Sequence, residues 1–372
     1  MAGKMVYFYS EAFQRYDMGP QHPLRPIRLA RTHELLGLYG ALEAVAVEDP
    51  RPCSMDDLLT THSREFIETV MRLSEGDRDV PAEQFGFGYG DNPIFPGMWE
   101  SSLVYTGASV DAAQAVNDGR CRTAMNLSGG LHHGHHSRAA GFCIFNDCAV
   151  AIHRLRRKFA KVAYIDIDVH HGDGVQEAFY DDPSVLTISI HESGRTLFPG
   201  TGSVREIGAG DGTGYSVNVP LWPGTTDDIW IGAFRDAALP ILQRFDPDAV
   251  LLQMGTDAHY LDPLAHLYLT AQGWLEAVKD VNALSKPIVA VGGGGYNPTT
   301  VPRMWALAFG ELFGLELPDD VPAEFSYRDY IPRLRDHDEP PVSDEDRQQA
   351  AWYAGQAIEE LKRALFPIHG LA

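Results

Sequence analysis

Two aspartates and two histidines lie close together at the end of an apolar run, in the segment KVAYIDIDVHHGDG at residues 161–174. The run at 162–169 predicts a strand buried on both faces of a parallel sheet. Asp166 and Asp168 are in phase with His170, so all three side chains point to one side of an extended chain. A divalent cation can compensate two buried carboxylates. The alternative, in which the aspartates cap the next helix and His171 packs beneath it, does not account for two carboxylates beside two imidazoles.

Asp257 is the predicted third metal ligand, because it follows the apolar strand AVLLQM at 249–254. Together with Asp168 and His170 it supplies two carboxylates and one imidazole. Three protein ligands leave a position for water, which is typical of a catalytic site. Oxygen and nitrogen ligands without thiolate permit zinc, iron(II), cobalt or manganese.

His132 and His133 follow a glycine pair in the segment GGLHHGHH at 129–136. With Asp166 and Asp173 available to hold their rings, they are interpreted as an acid/base pair. A metal that lowers the pKa of water to roughly 7, beside an imidazole that takes its proton, indicates a hydrolase. Three further histidines are interpreted as supporting residues: His135, His136 and His171.

Four glycines at 292–295 precede Tyr296. No GK[ST] follows them, so a phosphate loop is disfavoured. The glycines let the backbone approach the site, and the Tyr296 hydroxyl can donate a hydrogen bond to an oxyanion. A flexible turn with a packed tyrosine accounts for this segment almost as well.

The elements that must position these residues alternate between strands and helices. Strands are predicted at 5–10, 123–127, 162–169, 185–190, 215–219, 249–254 and 287–291, and the longer helices include 227–245 and 344–365. This pattern predicts an α/β fold with one central, mainly parallel sheet covered by helices on both faces. The candidate metal-binding and catalytic residues all follow the carboxyl ends of strands, where open parallel sheets bind ligands. We predict a single domain over 1–372, in which 318–372 form a charged, helical extension.

Composition limits the possible partners. Lys plus Arg number 30 against 51 Asp plus Glu, for a net charge of −21, which argues against binding to nucleic acid or anionic membranes and favours a basic partner. The four cysteines form no CxxC pair, which fits a reducing compartment. Without a signal peptide or a long apolar run, the chain is predicted to be soluble and cytoplasmic. The oligomeric state is not predicted.

The motifs HPLRPIR, DNPIFPGM, SGGLHHG, GFCIFND, IDIDVHHGDGVQ, FPGTG, QMGTDAH, LDPLAHL and GGGGYN occur in this order. On these motifs, over about residues 7–313, the chain resembles the zinc-dependent histone deacetylase family, and within it the bacterial acetoin-utilisation branch. The resemblance implies an arginase-like α/β fold. It also implies Zn²⁺, with Fe²⁺ possible, on Asp168, His170 and Asp257. The segment GHHS after His133 departs from the family pattern.

The resemblance further implies a role for each matched residue. His133 is the expected general base and acid, held by Asp173; His132, held by Asp166, is its electrostatic partner; and Tyr296 stabilises the oxyanion. Substrate-binding positions are implied at Asp91, Gly141, Phe142, Phe198 and Leu264, and an internal acetate channel at Arg28. Two K⁺ sites are implied, one at Asp166, Asp168, His170 and Ser189, the other at Phe179, Val185 and Tyr215.

The expected activity is hydrolysis of N-ε-acetyl-lysine in a protein or peptide. Deacetylation of small acetylated amines such as polyamines is an alternative with the same chemistry. A non-catalytic acetyl-lysine binder is a second alternative, and the intact histidine pair with Tyr296 argues against it. A manganese ureohydrolase would require a second set of metal ligands.

Overall fold

The computed structural model describes residues 5–372, so the first four residues of the predicted domain lie outside the described part. Eight strands occur there: β1 (Val6–Phe8), β2 (Ala46–Glu48), β3 (Thr123–Asn126), β4 (Val162–Asp166), β5 (Val185–Glu192), β6 (Ser216–Leu221), β7 (Ala249–Gln253) and β8 (Ile288–Val291). They form one sheet in the order β2-β1-β3-β8-β7-β4-β5-β6, in which all neighbouring strands are parallel. The predicted α/β fold with a parallel sheet is confirmed.

The central strands are built from apolar residues that are buried on both faces. Every residue of β3 to β8 is buried, and Ile165 on β4 has no exposed surface. Strands that are buried on both faces have nearly continuous apolar sequences, and this pattern is what predicted them. The edge strand β2 was not predicted. It has only three residues, all at least partly exposed, and the four-residue apolar run at 44–47 is too short to distinguish a strand from a loop.

Eleven α-helices accompany the sheet in the described residues: α1 (Ile27–Leu38), α2 (Met55–Leu58), α3 (Arg64–Ser74), α4 (Met98–Asn117), α5 (Asp147–Leu155), α6 (Asp173–Ala178), α7 (Asp227–Ala233), α8 (Leu239–Phe245), α9 (Ala271–Ala283), α10 (Thr300–Phe313) and α11 (Asp344–His369). Several begin at a side-chain cap, as at Ser63 and Asn146. None of the described helices is long and apolar enough to cross a membrane.

The predicted helix at 227–245 is interrupted. A π-helical turn, Phe234–Ala238, separates α7 from α8. Pro240 explains the interruption, because it has no N–H to donate and its ring crowds the carbonyl group of Asp236. The helix predicted at 344–365 begins as expected and continues to His369.

Two buried tryptophans position the loop that follows β7. The indole Nε1–H of Trp274 on α9 donates to the carbonyl oxygen of Gly255 at 2.8 Å. The indole of Trp305 on α10 donates to the carbonyl oxygen of Met254, also at 2.8 Å. The loop that carries Asp257 is thus fixed from the two helices beneath it.

Candidate metal centre and active site

The strand β4 ends at Asp166, three residues earlier than predicted. The backbone N–H of Asp168 donates to the Asp166 carboxylate at 3.1 Å, and the N–H of His170 donates to the Asp168 carboxylate at 3.0 Å. These side-chain bonds replace ladder bonds and turn the chain. The prediction that Asp166, Asp168 and His170 lie in phase on one side of an extended chain is therefore wrong, because the chain is not extended beyond Asp166. The turn itself brings Asp168 and His170 together.

Asp168, His170 and Asp257 meet at one point. Their ligand atoms all lie within 4.8 Å of one another, and within residues 5–372 no other such group of three or more His, Cys, Asp or Glu side chains occurs. The Nδ1 atom of His170 lies 3.2 Å from Asp168 Oδ1 and 3.1 Å from Asp257 Oδ2. This is the group that the sequence predicted as metal ligands.

The surroundings of the group fit a cation. Both carboxylates are buried, and no Lys or Arg of the described chain forms an ion pair with either of them. Burial and the facing Asp168 carboxylate raise the pKa of Asp257. A Cβ atom on Gly255 would lie 2.0 Å from Asp168 Oδ2, and one on Gly294 would lie 2.0 Å from Asp257 Oδ2. The glycines therefore let the backbone close around two carboxylates that a divalent cation would compensate.

His132 and His133 lie beside this group, each held by its own carboxylate. The Nδ1 atom of His132 is 2.7 Å from Asp166 Oδ2, and the Nδ1 atom of His133 is 2.6 Å from Asp173 Oδ1. The two Nε2 atoms are 3.0 Å apart. The structure thus brings together the two predicted His–Asp pairs, with both Nε2 atoms directed to the site.

The two imidazoles differ in charge. Burial disfavours the charged form of His132, but Asp166 and Asp168 outweigh burial and raise the pKa of His132 to about 9. Burial and the charge on His132 lower the pKa of His133 to about 4. At neutral pH these shifts favour an uncharged His133, which can accept a proton, and a charged His132.

Tyr296 lies on the other side of the metal group. Its ring is 6.3 Å from the His170 ring. Its backbone N–H donates to Asp262 Oδ2 at 2.8 Å, so that Asp262 fixes the position at which the side chain enters the site. Burial and the nearby Asp257 hold the pKa of Tyr296 well above its usual range, so the hydroxyl keeps its proton for donation.

Two phenyl rings lie beside these groups, and we refer to the space between the two rings as the slot. The Phe198 ring lies 5.0 Å from His133, and the Phe142 ring lies 5.5 Å from Tyr296. Gly141 sits between them with φ +49°, and a Cβ atom there would be 2.4 Å from Cδ2 of His133. The structure therefore brings the three predicted wall residues together, and their role in substrate binding stays a prediction.

Asp91 and Leu264 lie at the margins of the slot. Asp91 is exposed, and its carbonyl oxygen accepts a hydrogen bond from Nε2 of His22 at 3.2 Å. The His22 ring packs 4.5 Å from Phe142. The N–H of Leu264 donates to Asp262 Oδ1 at 3.0 Å. Asp91 is thus connected through His22 to the slot wall Phe142. Leu264 is connected through Asp262 to Tyr296.

Arg28 lies beneath the site and is 5% exposed. Its Nη1 atom donates to the carbonyl oxygens of Gly293 at 2.7 Å and Gly295 at 3.1 Å. Its buried Nε has no hydrogen-bond partner among the described residues. Arg28 lines a small cavity together with His132, His133 and Tyr296. A free guanidinium donor in such a cavity fits an anionic ligand.

The residues predicted for K⁺ fall into two places. Ser189 on β5 pairs in register with Asp166 on β4, and its hydroxyl is 2.8 Å from Nδ1 of His191. Of the second set, Val185 begins β5, Tyr215 precedes the neighbouring β6, and Phe179 follows α6. Binding of K⁺ at either place stays a prediction.

Several residues that support the site were not singled out from the sequence: His22, Gln253, Asp262 and Glu177. Gln253 donates to Asp168 Oδ2 at 2.8 Å. Three of the four had a local signal, since His22 lies in HPLRPIR, Gln253 in QMGTDAH and Asp262 in LDPLAHL. Glu177 had none, because it lies one residue beyond IDIDVHHGDGVQ, on a short helix.

Comparisons with known proteins agree with this geometry. A profile of the histone deacetylase domain matches residues 22–312. The chain is 42% identical to the acetoin utilization protein AcuC of Bacillus subtilis (strain 168), over 86% of this chain and 85% of that protein. It is 39% identical to the histone deacetylase clr6 of Schizosaccharomyces pombe, over 88% of this chain and 80% of that protein.

A solved structure shows the same fold. The crystal structure of a histone deacetylase homologue from Aquifex aeolicus superposes with a TM-score of 0.85 at 31% identity, covering 94% of this chain and 99% of the other. The deacetylase-like fold predicted from the motifs is confirmed. Because the domain profile and relatives across bacteria and a fungus match most of its length, the chain belongs to the histone deacetylase family.

Proposed function

We propose that the chain is a lysine deacetylase, which hydrolyses the amide of N-ε-acetyl-lysine in a protein or peptide and releases acetate. Membership of the histone deacetylase family supports a deacetylase hydrolase as the general activity. The observation that carries the lysine assignment is the pair of phenyl rings beside the catalytic groups, Phe198 against His133 and Phe142 against Tyr296. A narrow apolar slot suits the four-carbon stem of an acetylated lysine and excludes branched amines.

The proposed metal is Zn²⁺, with Fe²⁺ as the alternative, held by Asp168, His170 and Asp257. When bound there, such an ion would supply Lewis-acid chemistry towards water and the amide carbonyl. No thiolate competes in the group, and the donor set matches that of hydrolytic metal centres. Two K⁺ sites, at Asp166, Asp168, His170 and Ser189 and at Phe179, Val185 and Tyr215, are part of the same proposal.

The chain's own residues move the protons. Uncharged His133 accepts a proton from water at Nε2, while Asp173 holds the proton on Nδ1, and the same Nε2 then donates to the leaving lysine nitrogen. The cation on His132, held by Asp166, stabilises the negative charge that develops. The Tyr296 hydroxyl donates to the carbonyl oxygen as it becomes an oxyanion. Arg28 would bind the departing acetate in the cavity beneath.

The partner we propose is an acetylated protein or peptide with basic character. The net charge of −21 supports attraction of a basic segment and argues against nucleic acid and anionic membrane as partners. Deacetylation of small acetylated amines is the competing assignment. A cytoplasmic location is part of the proposal.

The test is turnover of an acetyl-lysine peptide beside an acetylated diamine, with metal content measured in the same preparation. We expect turnover of the peptide and about one transition-metal ion per chain. Asp257→Ala is expected to lose both, because it removes one of three ligands. Stoichiometric metal in that variant would contradict the assigned ligands, and faster turnover of the diamine would favour the small-amine assignment.

A further inference from the structure

The two oxygens of the Asp173 carboxylate are supported unequally. Oδ1 lies 2.6 Å from Nδ1 of His133 and also accepts the backbone N–H of Gly174 at 2.9 Å. Oδ2 has one polar side-chain neighbour in the described chain, Nε2 of His135 at 3.4 Å. The Asp173 side chain is only partly buried, so without His135 Oδ2 would be left to mobile water and the carboxylate could rotate. The contact with His135 therefore limits the rotation of the carboxylate and helps to fix the position of Oδ1.

His135 is itself fixed from several sides. Its Nδ1 bonds Glu177, which lies one helical turn after Asp173 on the same face of α6. Its backbone carbonyl is 2.9 Å from Nδ1 of His62, and its backbone N–H donates to the carbonyl oxygen of Arg138 at 2.9 Å. The ring can therefore hold Asp173 without moving itself.

The charges around the ring favour this contact. The groups that face it are Asp173 and Glu177 on α6, Arg138 on its own loop and His62 from the segment before α3. Burial disfavours a charged His135, but Asp173 and Glu177 outweigh burial and raise its pKa to about 9. Nε2 also lies 2.9 Å from Nη2 of Arg138, which is only a donor, so the Arg138 side chain must turn aside when Nε2 carries a proton. With a proton, Nε2 donates to Asp173; without one, it accepts from Arg138, whose positive charge then lies nearby.

The other pair, His132 with Asp166, does not need a further histidine to hold its carboxylate. Asp166, which holds His132, also accepts the Tyr164 hydroxyl at 2.6 Å and the backbone N–H of Asp168 at 3.1 Å. Both of its oxygens are thus occupied by donors other than the imidazole. Of the two pairs, only His133–Asp173 has a further imidazole against its carboxylate.

We propose that His135 is a positioning residue, which holds Oδ2 of Asp173 so that Oδ1 stays on Nδ1 of His133. The inference rests on the proposed function, because it assigns to His135 the orientation of the general base. His135 lines a cavity of about 460 Å³ together with Arg138, Glu177 and the slot wall Phe198. Among the described residues, the ring of Phe198 packs on His133 and His170, and His135 has no hydrogen bond to Gly141, Phe142 or Phe198. Its loss should therefore lower kcat and leave KM unchanged.

The experiment compares His135→Leu with His135→Lys on the acetylated substrate that the unmodified enzyme turns over. We expect His135→Leu to lower kcat about tenfold at unchanged KM, and His135→Lys to recover to within about threefold, because an ammonium can also donate to Oδ2. The matched control is His136→Leu, since that neighbouring imidazole bonds only the backbone carbonyl of Thr61, at 2.6 Å. Its kcat should not change. An unchanged kcat in His135→Leu, or equal losses in all three variants, would overturn the proposal.

Two further measurements keep the proposal testable if His135→Leu is misfolded or if the unmodified enzyme shows no turnover. Glu177→Gln, a half-exposed surface change, should give an intermediate loss in kcat, and a kcat at the level of the unmodified enzyme would count against the proposal.

The Nδ1–H proton of His133, assigned by its absence in His133→Ala, should be detectable by NMR in the unmodified protein and His136→Leu. It should be lost or moved upfield in His135→Leu. Retention there would overturn the positioning role even if no substrate is turned over, whereas absence of turnover by the unmodified enzyme would count only against the proposed function.

Discussion

At the scale of single residues, His132 and His133 are identical side chains whose pKa values are shifted in opposite directions. The difference follows from their neighbours, because His132 faces Asp166 and Asp168, whereas His133 faces the positive charge of His132. An uncharged imidazole can accept a proton and a charged one cannot. The structure therefore gives the physical basis for assigning the proton transfer to His133.

This assignment predicts different losses for the two alanine variants. His133→Ala should be nearly inactive while retaining its metal, because no base remains at Nε2. His132→Ala should keep more activity, since it removes a charge and not the proton acceptor. Steady-state kcat, with metal content measured for both, checks the prediction. The reverse ranking of the two kcat values would exchange the roles.

Tyr296 supports a second prediction at this scale. Its pKa lies far above neutral, so the hydroxyl stays a donor, and Tyr296→Phe removes that donor while keeping the ring that packs on Phe142. We expect kcat to fall by roughly 10² to 10³, the range for losing one oxyanion donor. A raised KM with unchanged kcat would instead show that Tyr296 binds substrate and transition state equally.

At the scale of elements, the segment after α10 is tied to the body of the protein by a buried ion pair. Nη2 of Arg303 on α10 donates to Asp336 Oδ1 at 2.7 Å. Asp336 Oδ2 accepts the N–H of Ala271, the first residue of α9, at 2.7 Å, and lies 3.0 Å from Nε2 of His259. One carboxylate thus joins this segment to two helices and to the loop that carries Asp257.

This pair predicts a pH-dependent stability. Asp336→Asn should lower the free energy of unfolding at pH 7 by about 3 kcal/mol, because it leaves Arg303 buried without its charge partner. Burial raises the pKa of Asp336, but His259 and Arg303 outweigh burial and hold it below its unfolded value. The contribution is therefore present above the unfolded pKa of about 4 and is lost as the pH falls below it.

Urea unfolding of the unmodified chain and the variant at pH 7 and pH 3 checks this prediction, and the difference between them should narrow at pH 3. The exposed Asp338→Asn is the matched control and should have no effect at either pH. A difference that persists unchanged at pH 3 would assign the effect of Asp336→Asn to something other than its charge.

At the scale of the whole molecule, a net charge of −21 attracts basic peptides and polyamines alike, since long-range attraction raises encounter rates without distinguishing them. Short-range contacts at the slot must therefore distinguish the two. The exposed Asp91, joined through His22 to the slot wall, can accept hydrogen bonds from backbone amides beside an acetylated lysine. A small acetylated diamine has no such amides.

Asp91→Ala should accordingly lower kcat/KM for an acetyl-lysine peptide much more than for an acetylated diamine. Asp17→Ala is the control, because this exposed carboxylate in the segment before His22 changes the net charge equally. Equal losses on both substrates with Asp91→Ala, or the same selective loss with Asp17→Ala, would contradict a peptide-specific contact.

The sequence alone determined seven of the eight described strands and the residues that follow them, because fully buried parallel strands require continuous apolar runs and carry their ligands at one edge. For the same reason the sequence indicated Asp168, His170 and Asp257 as metal ligands. Carboxylates at the end of a buried apolar run require a compensating charge, and a bound cation supplies it. The tertiary structure alone decided the turn that ends β4 at Asp166, the edge strand Ala46–Glu48 and the contacts of Asp262 and His135. Each of these depends on groups far apart in the chain or on bonds between side chain and backbone, and neither periodicity nor spacing records which partners the folded chain brings together.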